Sequence, residues 1–216
     1  MKLKYTLMTV LAFAGFTLSS QAANIIIDGD FSDWAGVPIA YSDPNESLAH
    51  DISTIQITHN DTHVFFRVSY FSSINPNSGS GLYLAIDNDS NPATGFDIFG
   101  LGLIGSEGGY QNDFPFQQAT GVFNTGATTD AAIAISPYAV STVSQEFGVA
   151  RDAIIDTTNG DLLFPNASFN FAAYFTDNGS DFAGVVSYTI PEPSSTMLIG
   201  GGLFALIFSA RRKKIC

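Results

Sequence analysis

The stretch DNDSNPATGFD, residues 87–97, gathers the side chains of this sequence best suited to chemistry. Asp87, Asp89 and Asn91 alternate, and Asp97 closes the run. Oxygen side chains spaced in this way suit a hard cation, because Ca²⁺ takes about six to eight oxygen ligands. The stretch opens like an EF-hand loop but departs from one at its sixth position, Pro92 in place of Gly, and at its twelfth, Ile98 in place of Glu. It is therefore not an EF-hand, and a calcium site here is completed by Asp97 or by backbone carbonyls. The same residue types also build an Asx-rich turn between strands with no ion at all. Structural calcium is the one cofactor the sequence offers a place for, and nothing in it requires one.

Other reactive constellations are sparse. His59 and His63 flank a short turn and, with Asp61, offer zinc three ligands at most; as exposed turn residues they need no metal. There is no G-x-S-x-G elbow, no H-E-x-x-H pair and no phosphate loop. The single cysteine is Cys216, the last residue. Carboxylate pairs abound, but nineteen acids scattered over turns make chance pairs expected, and no spacing singles out an acid and a nucleophile. The sequence thus assigns no catalytic residue and is expected not to be an enzyme.

The elements that would position these residues read as short strands. Residues 24–28 are β-branched, 51–60 alternate Ile with polar residues, and 63–71 are aromatic and β-branched. Asn60-Asp61-Thr62 between the last two has tight-turn composition, so the pair predicts a hairpin. Further strands are expected over 81–89, 97–105, 131–136, 143–150, 168–177 and 182–190. Residues 151–156 are the only candidate for a turn of helix. About nine strands at such spacings predict an all-β, antiparallel β-sandwich of jelly-roll-like form.

Charge narrows the partners. Of 216 residues, 8 are Lys or Arg and 20 are Asp or Glu. Between residues 23 and 190 only Arg67 and Arg151 are basic, against nineteen acids. Phosphate binding needs clustered Lys and Arg, so no nucleic-acid partner is expected. The acids serve solubility after export, or attract divalent cations.

Both ends read as addresses. The start carries Lys2 and Lys4, an apolar run from Tyr5 to Leu18, and small residues at Ser20 and Ala22, a signal peptide over 1–22 for a signal peptidase. Residues 23–190 form one domain. The tail has Pro191, Glu192 and Pro193, then the apolar run Met197 to Ala210, then Arg211, Arg212, Lys213 and Lys214. As a helix that run is about 21 Å long, short of a ~30 Å hydrocarbon core. The basic end fits a cytoplasmic stop. In order, these features at 191–216 resemble the PEP-CTERM sorting signal of Gram-negative bacteria. The resemblance implies a membrane-embedded exosortase as partner, cleavage near the motif, and delivery to the cell envelope, surface or extracellular matrix. It also implies an at least transient membrane anchor through a short hydrophobic helix.

The central domain resembles the family 9 carbohydrate-binding modules. The resemblance rests on four segments in order: IDGDFSDWAGVP with Asp28, Gly29, Asp33 and Trp34; ITHNDTHVFFRVSY with Arg67; LYLAIDNDSNPATGF; and SQEFGVARDAI with Glu146. It implies a sandwich, bound calcium, and a non-catalytic role that includes contact with exopolysaccharide. Taken by their chemistry, Trp34 is expected to be a packing anchor and Arg67 to pair with a carboxylate such as Glu146. One tryptophan cannot sandwich a sugar ring, which leaves Tyr41, Tyr70, Tyr83, Tyr110 and Tyr138 as candidate platforms. The alternatives are a structural matrix component without sugar affinity and a glycan-active hydrolase.

Overall fold

A computed structural model describes residues 24–176 and 181–191 of the chain. The expected signal peptide, the terminal hydrophobic helix, and the sorting residues Glu192, Pro193, Arg211 and Arg212 lie outside the described residues.

Fourteen strands follow one another: β1 (Ile39–Ser42), β2 (Ile52–His59), β3 (His63–Ile74), β4 (Leu82–Asp87), β5 (Phe96–Asp97), β6 (Gly105–Ser106), β7 (Gly108–Gln111), β8 (Phe114–Gln117), β9 (Ile133–Ser136), β10 (Thr142–Ala150), β11 (Ile154–Asp156), β12 (Asp161–Leu162), β13 (Ser168–Phe175) and β14 (Val186–Thr189). Ten of them form two five-stranded sheets, ordered β1-β2-β3-β10-β9 and β14-β13-β4-β7-β8. Every pairing in the two is antiparallel. The two short pairs β5-β6 and β11-β12 lie in the connections.

The sheets share one core. Val64, Phe66 and Val68 of β3 and Phe147 and Val149 of β10 meet Leu84 and Ile86 of β4 and Phe169 and Phe171 of β13. Phe66 stacks on Phe171 across this interface, ring centroids 4.4 Å apart and 13° from parallel. Both rings are fully buried. The hairpin expected at 60–62 forms: Asn60 N donates to His63 O, while Asn60 Oδ1 accepts from the backbone N of Thr62 and His63.

The outer faces are covered too. Tyr83 and Ala85 of β4 and Ala172 and Tyr174 of β13 pack beneath Ile98 and Ile104. Phe65 of β3 packs beneath Ile25 and Trp34. Strands covered on both faces need apolar side chains at every position, which explains the unbroken LYLAI and FAAYF runs.

Three local expectations are corrected. Residues 24–28 form no strand, because their backbone N–H groups are taken by side chains: Ile26 N donates to Asp33 Oδ2, and Asp28 N and Gly29 N donate to Glu146 Oε1. The single strand expected over 97–105 is broken: between β5 and β6 lies a loop with a short 3₁₀ turn at Ile98–Gly100, and Phe99, Gly100 and Gly102 all have positive φ. Such a backbone cannot extend. Residues 151–156 form a turn and then β11 in place of a helix, with Ile154 paired to Leu162. The hairpin β7-β8 went unforeseen because Gly108, Gly109 and Pro115 carry little strand propensity.

Candidate functional site

The acid-rich turn after β4 sits where three neighbouring strands end. Asp87 is the last residue of β4 and faces Asn170 of β13 in register. Asn170 Nδ2 donates to Asp87 Oδ2 at 3.0 Å. On the other side, Glu107 N donates to Ile86 O at 3.1 Å, which sets the Glu107 side chain beside the turn. Asp87, Asp89 and Glu107 thereby offer three carboxylate oxygens within 4.8 Å of one another.

The turn folds itself around these acids. Asn91 N donates to Asp87 Oδ1 at 3.1 Å and to Asp89 Oδ1 at 2.9 Å. Thr94 Oγ1 donates to Asp89 Oδ2 at 2.9 Å. The loop lies close to β6, and Gly105 permits this: a Cβ there would run into the Thr94 carbonyl oxygen. Asn88 N donates to Glu107 Oε2 at 3.0 Å. Glu107 Oε1 is sealed from solvent and has no hydrogen-bond partner.

Electrostatics records the crowding. Burial, then the charges of Asp89 and Asp87, push the Glu107 carboxyl up to about 7. Asp87 is also raised, first by burial and then by Asp89, against the pull of its bonds from Asn170 and Asn91. Three carboxylate oxygens within 4.8 Å of one another, with a sealed and unsatisfied oxygen on Glu107, are chemically suited to a hard cation. Asp97 lies outside this trio, whereas Asn91 bonds two of its members through its backbone N–H. Asn91 Oδ1 accepts from Ala93 N, and Asp97 Oδ1 accepts from Gly102 N. Sequence reasoning missed Glu107, a lone acid before two glycines, whose approach to Asp87 is set by sheet pairing alone.

Beside Glu107 a groove of about 300 Å³ is lined by Asn88, Gln117, Gln118, Asp161 and Leu162. A second groove of about 300 Å³ is mostly apolar and runs along Pro38, Ile57, Tyr188 and Pro191, where the chain leaves β14. Pro191 is exposed there.

Trp34, Arg67 and Glu146 do structural work. Trp34 is fully buried, and its Nε1 donates to Glu146 Oε2 at 2.8 Å. Arg67 and Glu146 are register partners on β3 and β10. The Glu146 oxygens accept from Trp34, Asp28 and Gly29, while Arg67 Nε donates to Ser144 Oγ and its guanidinium lies 4.6 Å from the Phe31 ring centroid. Burial lowers the Arg67 pKa, and the charges of Glu146 and Asp33 oppose that shift. His59 and His63 turn to different partners: His59 Nδ1 bonds the Tyr188 hydroxyl at 2.8 Å, and His63 Nδ1 bonds Thr62 Oγ1 at 2.9 Å. Of the candidate tyrosines, Tyr70, Tyr83 and Tyr110 are buried and Tyr41 is partly buried. Tyr138 is exposed and donates to Asp113 Oδ1 at 3.2 Å, next to exposed Phe114.

Residues 189–213 match the PEP-CTERM protein-sorting motif. The chain is therefore an exported, envelope-associated protein of the kind sorted by exosortase. The motif begins at Thr189, the last residue of β14, so the sorting signal starts as the second sheet ends. No curated protein matches the chain. Among the described residues no helix is long and apolar enough to cross a membrane.

Proposed function

We propose that this chain is a non-catalytic component of the surface or extracellular matrix of a Gram-negative bacterium, whose sandwich contacts exopolysaccharide. The observation that carries the reading is the sorting motif fused directly to β14: the domain is delivered outward with almost no linker. Signal peptidase removes residues 1–22, and exosortase acts at Pro191-Glu192-Pro193, with residues 197–210 as the transient membrane anchor. The two-sheet architecture supports the likeness to family 9 carbohydrate-binding modules and their jelly-roll-like fold. Calcium at Asp87, Asp89 and Glu107 has a structural part, holding the turn after β4. Exposed Tyr138, hydrogen-bonded to Asp113, and exposed Phe114, the residue after Asp113, supply the apolar and polar surface that stacking on a sugar ring requires.

The test is retention of the purified chain by exopolysaccharide from its host, in calcium, compared with the Tyr138→Ala variant. Retention lost in the variant supports sugar contact. Equal passage of both through the gel leaves the second reading, a structural matrix component, which burial of the only tryptophan favours. Release of reducing ends from the polysaccharide would overturn the non-catalytic role.

A further inference from the structure

We propose that the outer face of the second sheet is a self-association surface, on which a second copy of this chain packs against Phe99, Leu101, Leu103, Val122 and Phe123. All five side chains are exposed, from 36% for Phe123 to 54% for Leu103. Aromatic contacts join the two loops that carry them. Phe123 lies edge-on to Tyr83, ring centroids 5.9 Å apart, Tyr83 stacks on Tyr174 at 5.1 Å, and Phe99 meets Tyr174 edge-on at 5.4 Å. The sequence builds this display. Ile98 and Ile104 are buried and pin both ends of the first loop, and Asp97 Oδ1 accepts from Gly102 N at 2.8 Å. Gly100 and Gly102, at φ 68° and 66°, turn the backbone between them, and Phe99 itself sits at φ 57°, a conformation that bulky residues rarely adopt. The second loop is closed by paired bonds between the backbones of Ala119 and Val122.

Charge selects the occupant. Residues 98–106 and 114–129 hold no charged side chain, in a domain of nineteen acids and two bases. Both bases belong to the first sheet: Arg67 is on β3, and Arg151 follows β10. A lipid surface is held by apolar side chains together with Lys or Arg, and the strands of the second sheet supply neither. Two copies of so acidic a domain repel wherever their acids meet, and this uncharged face is where they can approach. An apolar patch is also complementary to itself across a two-fold axis. At roughly 70–100 Å² per half-exposed side chain, the five offer about 400 Å², a size at which exposed patches mark interaction sites and about half of the ~800 Å² that each partner of a standard interface buries. The contact is therefore weak in dilute solution and forms where the sorting signal gathers many copies on one surface, a step that rests on the export reading above.

Disulfide cross-linking of the full chain, densely loaded on phosphatidylcholine vesicles, tests this. Cys216→Ser removes the native thiol, Leu103→Cys places one on the patch, and Ile39→Cys places one on β1 at 57% exposure as the control. All the substituted hydrophobic side chains are exposed, so these changes leave the core untouched. On oxidation with copper phenanthroline, Leu103→Cys is expected to give at least fivefold more covalent dimer than Ile39→Cys. Adding Leu101→Asp, which sets like charges face to face across the two-fold, should remove that excess. Equal dimer yields at positions 103 and 39, or an excess that Leu101→Asp leaves unchanged, overturns the surface. So does a Leu103→Cys thiol that stays monomeric while the vesicle shields it from a water-soluble maleimide, since lipid would then cover the patch. The readout needs no polysaccharide, and its failure is distinct from a failure of sugar contact.

Discussion

The indole of Trp34 donates a 2.8 Å hydrogen bond to the carboxylate of Glu146, 112 residues further along the chain. The other Glu146 oxygen accepts from Asp28 N and Gly29 N, so one buried acid fastens the whole N-terminal segment over the outer face of the first sheet. This segment hides Phe65 as well as Trp34. Truncating Glu146 to Ala leaves three donors without an acceptor and is expected to cost about 3–5 kcal/mol. Trp34→Phe keeps most of the apolar area and loses the bond, for about 1–3 kcal/mol. Urea unfolding monitored by circular dichroism measures both. A Glu146→Ala loss under about 1 kcal/mol would show that the clamp contributes little.

Calcium binding at Asp87, Asp89 and Glu107 should strengthen as pH rises. Glu107 sits at about 7 in the ion-free protein, so at pH 6 it holds a proton that the cation must displace. For one such proton, affinity gains about tenfold between pH 6 and pH 8. The sign for folding is opposite. Glu107 is raised above its ordinary value of 4.5, so the ion-free fold is penalised above pH 7 and relieved as pH falls from 7 toward 4.5. Calcium titrations at the two pH values, repeated on Glu107→Gln, check the first claim. The variant should bind more weakly and lose the pH dependence.

Gly105 lets the acid turn lie against β6, where a Cβ would run into the Thr94 carbonyl. Gly105→Ala should push the 91–94 segment outward and break the bond from Thr94 Oγ1 to Asp89. The expected outcome is a tenfold or greater loss of calcium affinity with a stability cost of about 1–3 kcal/mol in EDTA. Affinity unchanged from the parent would mean that the turn does not set the site.

Periodicity carried much of the architecture and little of the site. The Ile residues of β2 and the aromatic run of β3 announced their hairpin because the turn chemistry of Asn60 is local. By contrast, β7 and β8 are strands through their neighbours: Gly108 and Gly109 have no strand preference of their own, and they pair because β4 offers a ladder. Asp87 and Asp89 were legible as oxygen ligands from spacing. Asn91 and Asp97 were equally legible by type; the structure ties Asn91 to the two acids through its backbone N–H, and its side-chain oxygen, like that of Asp97, accepts from the loop backbone. Glu107 joins the site through tertiary pairing, and one sequence carries no signal for that. Arg67 and Glu146, expected to pair as ions, face each other in register, but the Glu146 oxygens are taken by Trp34 and two backbone N–H groups and Arg67 donates to Ser144 and Gln56 instead.

Acid should loosen the last strand. His59 is buried at the end of β2, and its Nδ1 bonds the hydroxyl of Tyr188 on β14, one residue before the sorting motif begins. Burial, and then the charge of Arg151, lower the His59 pKa, against the weaker pull of Asp61. A lowered histidine pKa means the unfolded chain binds the proton more readily. The stability it lends is present above about pH 6.5 and is lost as pH falls below that value. β14 is an edge strand held by β13 alone, so its backbone should respond first. Hydrogen exchange at Val186–Thr189 is expected to be faster at pH 5.5 than at pH 7.5, after correction for the intrinsic rate. In His59→Gln, which does not titrate, the difference should shrink; an undiminished difference would place the acid response elsewhere.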